Sequence, residues 1–161
     1  MIEPPSEAAS GDIVLVLGHD RPFEAVDGYL RRCGWRPADA GAPVTPPLVA
    51  GQPELTTWRL GSAVATLEFN PIVELGVLRI CGIDATTAAG LAGAIPHCSV
   101  ADVAALLRCG RDDDVARGLF AAEALDDPQL APWITRLTGH PRPFIATLAV
   151  RVLAVLGGRT P

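Results

Sequence analysis

The side chains in this chain that could hold a metal or act as nucleophiles are His19, His97 and His140 and the thiols of Cys33, Cys81, Cys98 and Cys109. Zinc takes thiolates and imidazoles in knuckles whose members stand about two to four residues apart. His97 and Cys98 are adjacent, and no other pair has knuckle spacing, so no metal is expected. Adjacent side chains diverge, and no helix N-terminus or Arg stands ready to lower the thiol pKa, so a Cys98–His97 nucleophile pair is not expected either. Cys98 and Cys109 are separated by three helical turns and read as two small core residues on one face. With no CxxC, all four thiols are expected to be reduced and buried.

Three polar clusters offer other chemistry. Gly18-His19-Asp20-Arg21 follows an apolar run, where a helix start can bind phosphate. It lacks GxGxxG and Lys, and Pro22 removes an amide, so a plain strand-to-helix turn with Asp20 as cap is expected. Asp112, Asp113 and Asp114 lack the Gly of a calcium loop, and acidic residues at a helix start favour the dipole without any ion. Glu68 and Glu74 flank Asn70-Pro71 and would be an acid/base pair if they faced each other. An antiparallel sheet ordinarily leaves one face wet, which accounts for both as solvated groups. Neither catalysis nor a cofactor is therefore expected.

Recognition is the remaining chemistry. Trp58 precedes Arg59, and Trp133 stands three residues before Arg136, the aromatic and cationic types enriched in binding hot spots. Trp58 is expected in the core, whereas Trp133 is a candidate for partner binding together with Arg136, Arg117, Arg142, Arg151 and Phe144. The 161 residues carry a formal charge of −5, and the 13 basic residues are all Arg. No basic stripe is available for a phosphate backbone, so nucleic acid is excluded as the expected partner. The small acidic format suits a protein partner of basic character.

The elements that must position these residues change near the middle of the chain. Residues 1–11 read as a flexible N-terminus with none of the marks of a secretory signal, residues 12–84 as an α+β module, and residues 85–161 as helices packed on it. Ile13 to Leu17 reads as a buried strand, followed by a helix with Phe23, Val26, Leu30 and Cys33 on one face and Gly34 as its stop. Arg36 to Pro53 holds five prolines and reads as a long extended loop, either mobile or used in binding. Leu55 to Leu60, Ala63 to Phe69 and Ile72 to Cys81 read as three strands. The order βαβββ predicts a small antiparallel sheet backed by one helix.

The second half reads as helices alone. Thr86 or Thr87 caps a helix to Ile95, and Ser99 with Asp102 forms a capping box for Val100 to Arg108. Val115 to Leu125, Asp127 to about Thr138 and Pro143 to Leu156 complete the set. The longest apolar stretch, Phe144 to Leu156, is shorter than the ~20 residues of a membrane span and is interrupted by Arg151. Its face with Ile145, Leu148, Ala149, Val152 and Leu153 is expected to pack on the preceding helices. The opposite face, with Phe144, Val150, Ala154 and Val155, is expected to lie under the sheet or a partner subunit.

An offset of 28 residues pairs Leu106 with Ile134, Phe120 with Leu148, Ala121 with Ala149 and Leu125 with Leu153. Asp113-Asp114-Val115-Ala116-Arg117-Gly118-Leu119-Phe120-Ala121-Ala122-Glu123-Ala124-Leu125 resembles the second helix of a HEAT repeat, in which an Asp-rich turn leads into a helix of small residues. The resemblance covers residues 99 to 157, with a period below the ~40 of ordinary HEAT units, and His140-Pro141-Arg142 replaces the acidic turn in the second copy. It implies an α-solenoid surface for protein contacts and no catalysis. The βαβββ order is similar to half of a vicinal-oxygen-chelate unit, but no strand carries a His ligand and only Glu68 and Glu74 are candidate ligands, so the likeness is one of topology.

These readings converge on an α+β protein ending in a HEAT-like hairpin pair: a non-enzymatic adaptor, inhibitor or immunity-type factor of the cytoplasm, with homodimerisation open to it. The alternative is a small-molecule-binding or enzymatic protein whose site in the sheet is completed by a homodimer.

Overall fold

Alternating apolar and polar positions build the sheet, and short polar turns set its order. The computed structural model describes residues 10–18, 22–38 and 53–158. Its strands are β1 (Ser10–Leu17), β2 (Arg36–Pro37), β3 (Glu54–Leu60), β4 (Ala63–Asn70) and β5 (Leu75–Asp84), in the order β1-β5-β4-β3-β2 with every neighbour antiparallel. Helix α1 (Pro22–Arg32) links β1 at one edge to β2 at the other. The remaining helices are α2 (Ala85–Ala94), α3 (Val100–Leu107), α4 (Asp112–Leu125), α5 (Ala131–Leu137) and α6 (Pro143–Gly157), with a 3-10 turn at Pro128–Leu130. The α+β class expected from the sequence is the class observed.

Several boundaries differ, each for a local reason. Ser10 and Gly11, assigned to the flexible terminus by sequence, begin β1 and pair with Asp84 and Ile83. The first two residues of the Pro-rich segment form β2 against Arg59 and Trp58, giving β-α-β-β-β-β; Pro37 is tolerated because edge strands leave one side unpaired. The rest of that segment, residues 39–52, and the expected turn at His19, Asp20 and Arg21 lie outside the described residues. β5 begins at Leu75 rather than Ile72, because Asn70 Oδ1 accepts the Ile72 amide at 3.0 Å and Glu74 turns left-handed at φ 50°. Asp84, not Thr86 or Thr87, caps α2 by accepting the Thr87 amide at 2.9 Å. The Ser99–Asp102 capping box forms as read.

One sheet face carries Leu15, Leu17, Ala65, Leu67, Leu78 and Ile80, packed with Val26 and Leu30 of α1 and Ala88 and Leu91 of α2. Trp58 is fully buried there, and its indole N–H donates to Asp27 Oδ1 at 2.9 Å. Val16 and Leu75 contribute to a second core with Val103, Leu119, Ile134 and Val152 of the C-terminal helices, so helices cover both faces at the β1–β5 side. The thiols depart from expectation. Cys33 lies past the end of α1, Cys81 stands on β5 where no helix covers it, and both are exposed. Cys98 and Cys109 are half-buried on the segments before and after α3 rather than on one helical face. The Cys98 amide donates to the Val16 carbonyl at 2.7 Å and ties the start of α3 to β1.

Candidate functional site

The C-terminal helices form two hairpins. α3 packs on α4, α5 packs on α6, and the pairs join through α4 and α6, while α4 rests on β1 and β5. Gly118 permits the close crossing inside the first hairpin: a Cβ there would stand 3.0 Å from Leu106 Cβ and 3.1 Å from the Leu107 amide nitrogen. Polar side-chain contacts join the hairpins. Arg142 Nε donates to Asp112 Oδ2 at 2.8 Å, His140 Nε2 stands 3.8 Å from Asp112 Oδ1, and Arg151 donates to Glu123 at 2.7 Å.

The six candidate residues fall into four different settings. Arg117 is structural: it donates to the Val73 carbonyl at 2.9 Å and to Asp114 at 3.0 Å, and it lies 3.6 Å from Glu74, fastening the β4–β5 turn to α4. Arg142 and Arg151 join hairpin to hairpin, and the Arg151 guanidinium also lies 5.8 Å from the Phe120 ring centroid. Trp133 and Arg136 come together with a residue that sequence reasoning missed. The guanidinium carbons of Arg108 and Arg136 both stand 4.9 Å from the Trp133 ring centroid. Arg108 and Arg136 are exposed and Trp133 is half-buried. The 28-residue offset maps Arg108 onto Arg136, a signal that could have found it.

Phe144 stands apart. Ile145, Leu148, Ala149 and Val152 of α6 are buried, whereas Phe144 is 63% exposed, Val150 56% and Val155 39%. The sheet therefore does not cover these side chains; α6 packs chiefly on α4 and α5.

A separate cleft of about 430 Å³ opens between the sheet and α4 and α6. Leu75, Val77 and Phe120 give it apolar walls, and Glu68, Arg79, Glu123 and Arg151 bring charge to it. Glu68 pairs in register with Val77 rather than facing Glu74, so the imagined carboxylate pair is not assembled. Burial pushes the Cys98 thiol up, aided by the Asp102 charge, and burial with the nearby Asp12 does the same to Cys81. Both shifts oppose thiolate formation, weakly so at the exposed Cys81. Among the described residues no group of His, Cys, Asp and Glu could hold a metal ion, and no helix is long and apolar enough to cross a membrane. Comparison with family models, with curated proteins and with solved structures finds no match to this chain.

Proposed function

We propose that this is a non-catalytic protein-binding factor of the cytoplasm, an adaptor, inhibitor or immunity-type protein, whose partner docks on the second helical hairpin, a HEAT-like unit. The observation that carries the reading is the outer face of α6, where Phe144, Val150 and Val155 remain uncovered although Ile145, Leu148, Ala149 and Val152 of the same helix are buried. Large apolar side chains left in water on a rigid helix support an interface reading. The Trp133 cluster supplies the residue types that anchor interfaces. Affinity capture with wild-type protein and with a Phe144→Asp, Val155→Asp variant tests this. Both positions are exposed, so the variant should fold with nearly unchanged Tm while losing its specific partner; a partner retained at wild-type yield contradicts the reading.

The cleft favours a second reading, a small-molecule binder, since its volume falls within the range of about 300–1,000 Å³ typical of ligand sites. Thermal-shift screening of amphipathic zwitterions against wild type and Arg79→Gln tests it: stabilisation that the variant loses supports it.

A further inference from the structure

Charge is distributed unevenly along this chain. All 18 carboxylate side chains occur at or before Asp127, and the remainder of the chain carries Arg136, Arg142, Arg151 and Arg159 with no Asp or Glu. The net charge of −5 therefore misdescribes the second hairpin, whose own side chains are cationic or neutral. Of its arginines, Arg142 and Arg151 are neutralised by Asp112 and Glu123 of the first hairpin. Arg136 is spent differently: with Arg108 it lies against the one indole of Trp133, and among the described residues no carboxylate stands within ion-pair distance of either guanidinium.

Two cations on one ring are each attracted by its π face, but they repel one another. Arg108 also donates from Nε to the Ala104 carbonyl at 3.1 Å, and among the described residues neither guanidinium has an ion-pair partner. A carboxylate arriving here would gain charge-assisted hydrogen bonds from ordered guanidiniums and would relieve their mutual repulsion. We infer that Arg108, Trp133 and Arg136 form an anchor for an acidic segment of a protein partner, one bearing Asp or Glu beside apolar side chains. This inference rests on the protein-binding reading and replaces the basic partner expected from the net charge with one that is acidic at this anchor. A nucleic acid is disfavoured by the acidic remainder of the chain, which would repel a long phosphate backbone.

Trp35 and Trp58 are buried, so a collisional quencher in the intact protein reports on Trp133. Iodide should quench it more strongly than caesium, and Arg108→Gln or Arg136→Gln should reduce that preference. The binding probe is a labelled 16-residue amphipathic helix with Glu on one face and Leu on the other, titrated beside its Gln and Lys counterparts and a single-stranded RNA of equal length. The Glu peptide should bind best, weaken with added salt, and lose about tenfold or more in affinity on Arg136→Gln, the scale at which hot-spot truncations register. Equal binding of the Gln peptide, unchanged affinity in both Arg variants, or tighter binding of the RNA would overturn the inference. So would Arg136-dependent self-association in sedimentation, which would make a second copy the occupant. A captured partner that Phe144→Asp releases but Arg136→Gln does not would overturn this anchor while leaving the protein-binding reading intact.

Discussion

Arg151 donates to Glu123 at 2.7 Å, and the two stand 28 residues apart, the offset at which Phe120 aligns with Leu148. Positions equivalent in the two hairpins thus touch in space, with opposite charge. Both side chains keep substantial solvent contact, so screening limits what the pair contributes. A double-mutant cycle with Glu123→Gln and Arg151→Gln should give a coupling below about 1 kcal/mol by urea unfolding, shrinking further in high salt. A salt-independent coupling well above that would mean the pair acts as a buried one.

Gly118 and Gly90 should respond oppositely to a larger side chain. At Gly118 the neighbouring α3 backbone cannot retreat, so Gly118→Val should cost about 1–3 kcal/mol by overpacking, outweighing the helix propensity Val gains over Gly. Nothing stands within 4 Å of the Cβ position of Gly90 in α2, and Gly90→Ala should stabilise by up to about 1 kcal/mol. Chemical denaturation of both variants checks the pair.

Asp27 serves the core as well as the surface. It accepts the buried Trp58 indole N–H at 2.9 Å and pairs with Arg31 at 2.7 Å. Asp27→Ala leaves a buried donor without a partner and should cost about 1–3 kcal/mol, while Asp27→Asn keeps an acceptor and should cost less. Equal losses in the two variants would show that the Arg31 pairing dominates.

Acid should loosen the start of α3. Hydrogen bonds from the Ser99 hydroxyl and backbone amide hold the Asp102 carboxyl below the ordinary carboxylate range, and Thr87 does the same for Asp84. A depressed folded-state pKa means that the unfolded chain binds the proton first, so the stabilisation is present above the unfolded pKa and is lost as pH falls through the folded one. Ser99→Ala removes the cap and should lower Tm at neutral pH while flattening its fall as pH drops below about 4, since the unfolded carboxylate reference lies near 3.9. Parallel acid limbs for wild type and variant would contradict this origin.

How much of this was legible in the sequence follows from where the signal sits. Capping at Ser99, the turn at Asn70 and the helices from α3 onward are local patterns, and local patterns are readable. β2 was not legible, because two residues carry no periodicity and their pairing with Arg59 and Trp58 is set across the sheet. The exposure of Cys81 depends on which part of a sheet face a distant helix covers, and no spacing reports that. For the surface cluster, Trp133 and Arg136 share a helix and announced each other, whereas Arg108 joins them through the stacking of two hairpins, with the 28-residue offset as its one trace in the sequence. Arg117, a partner-binding candidate by sequence, also fastens Val73, Asp114 and Glu74, a contact 44 residues long in sequence at its furthest that no local pattern reports.

The central claim is that a partner docks on the second hairpin, and amide hydrogen exchange of the protein alone and with its captured partner tests it most directly. Protection should appear in α5 and in the outer face of α6, residues 131–158, and at Arg108, with the sheet unchanged. Protection confined to β4, β5 and α4 around the cleft, with exchange in α5 and α6 unaltered, would contradict it.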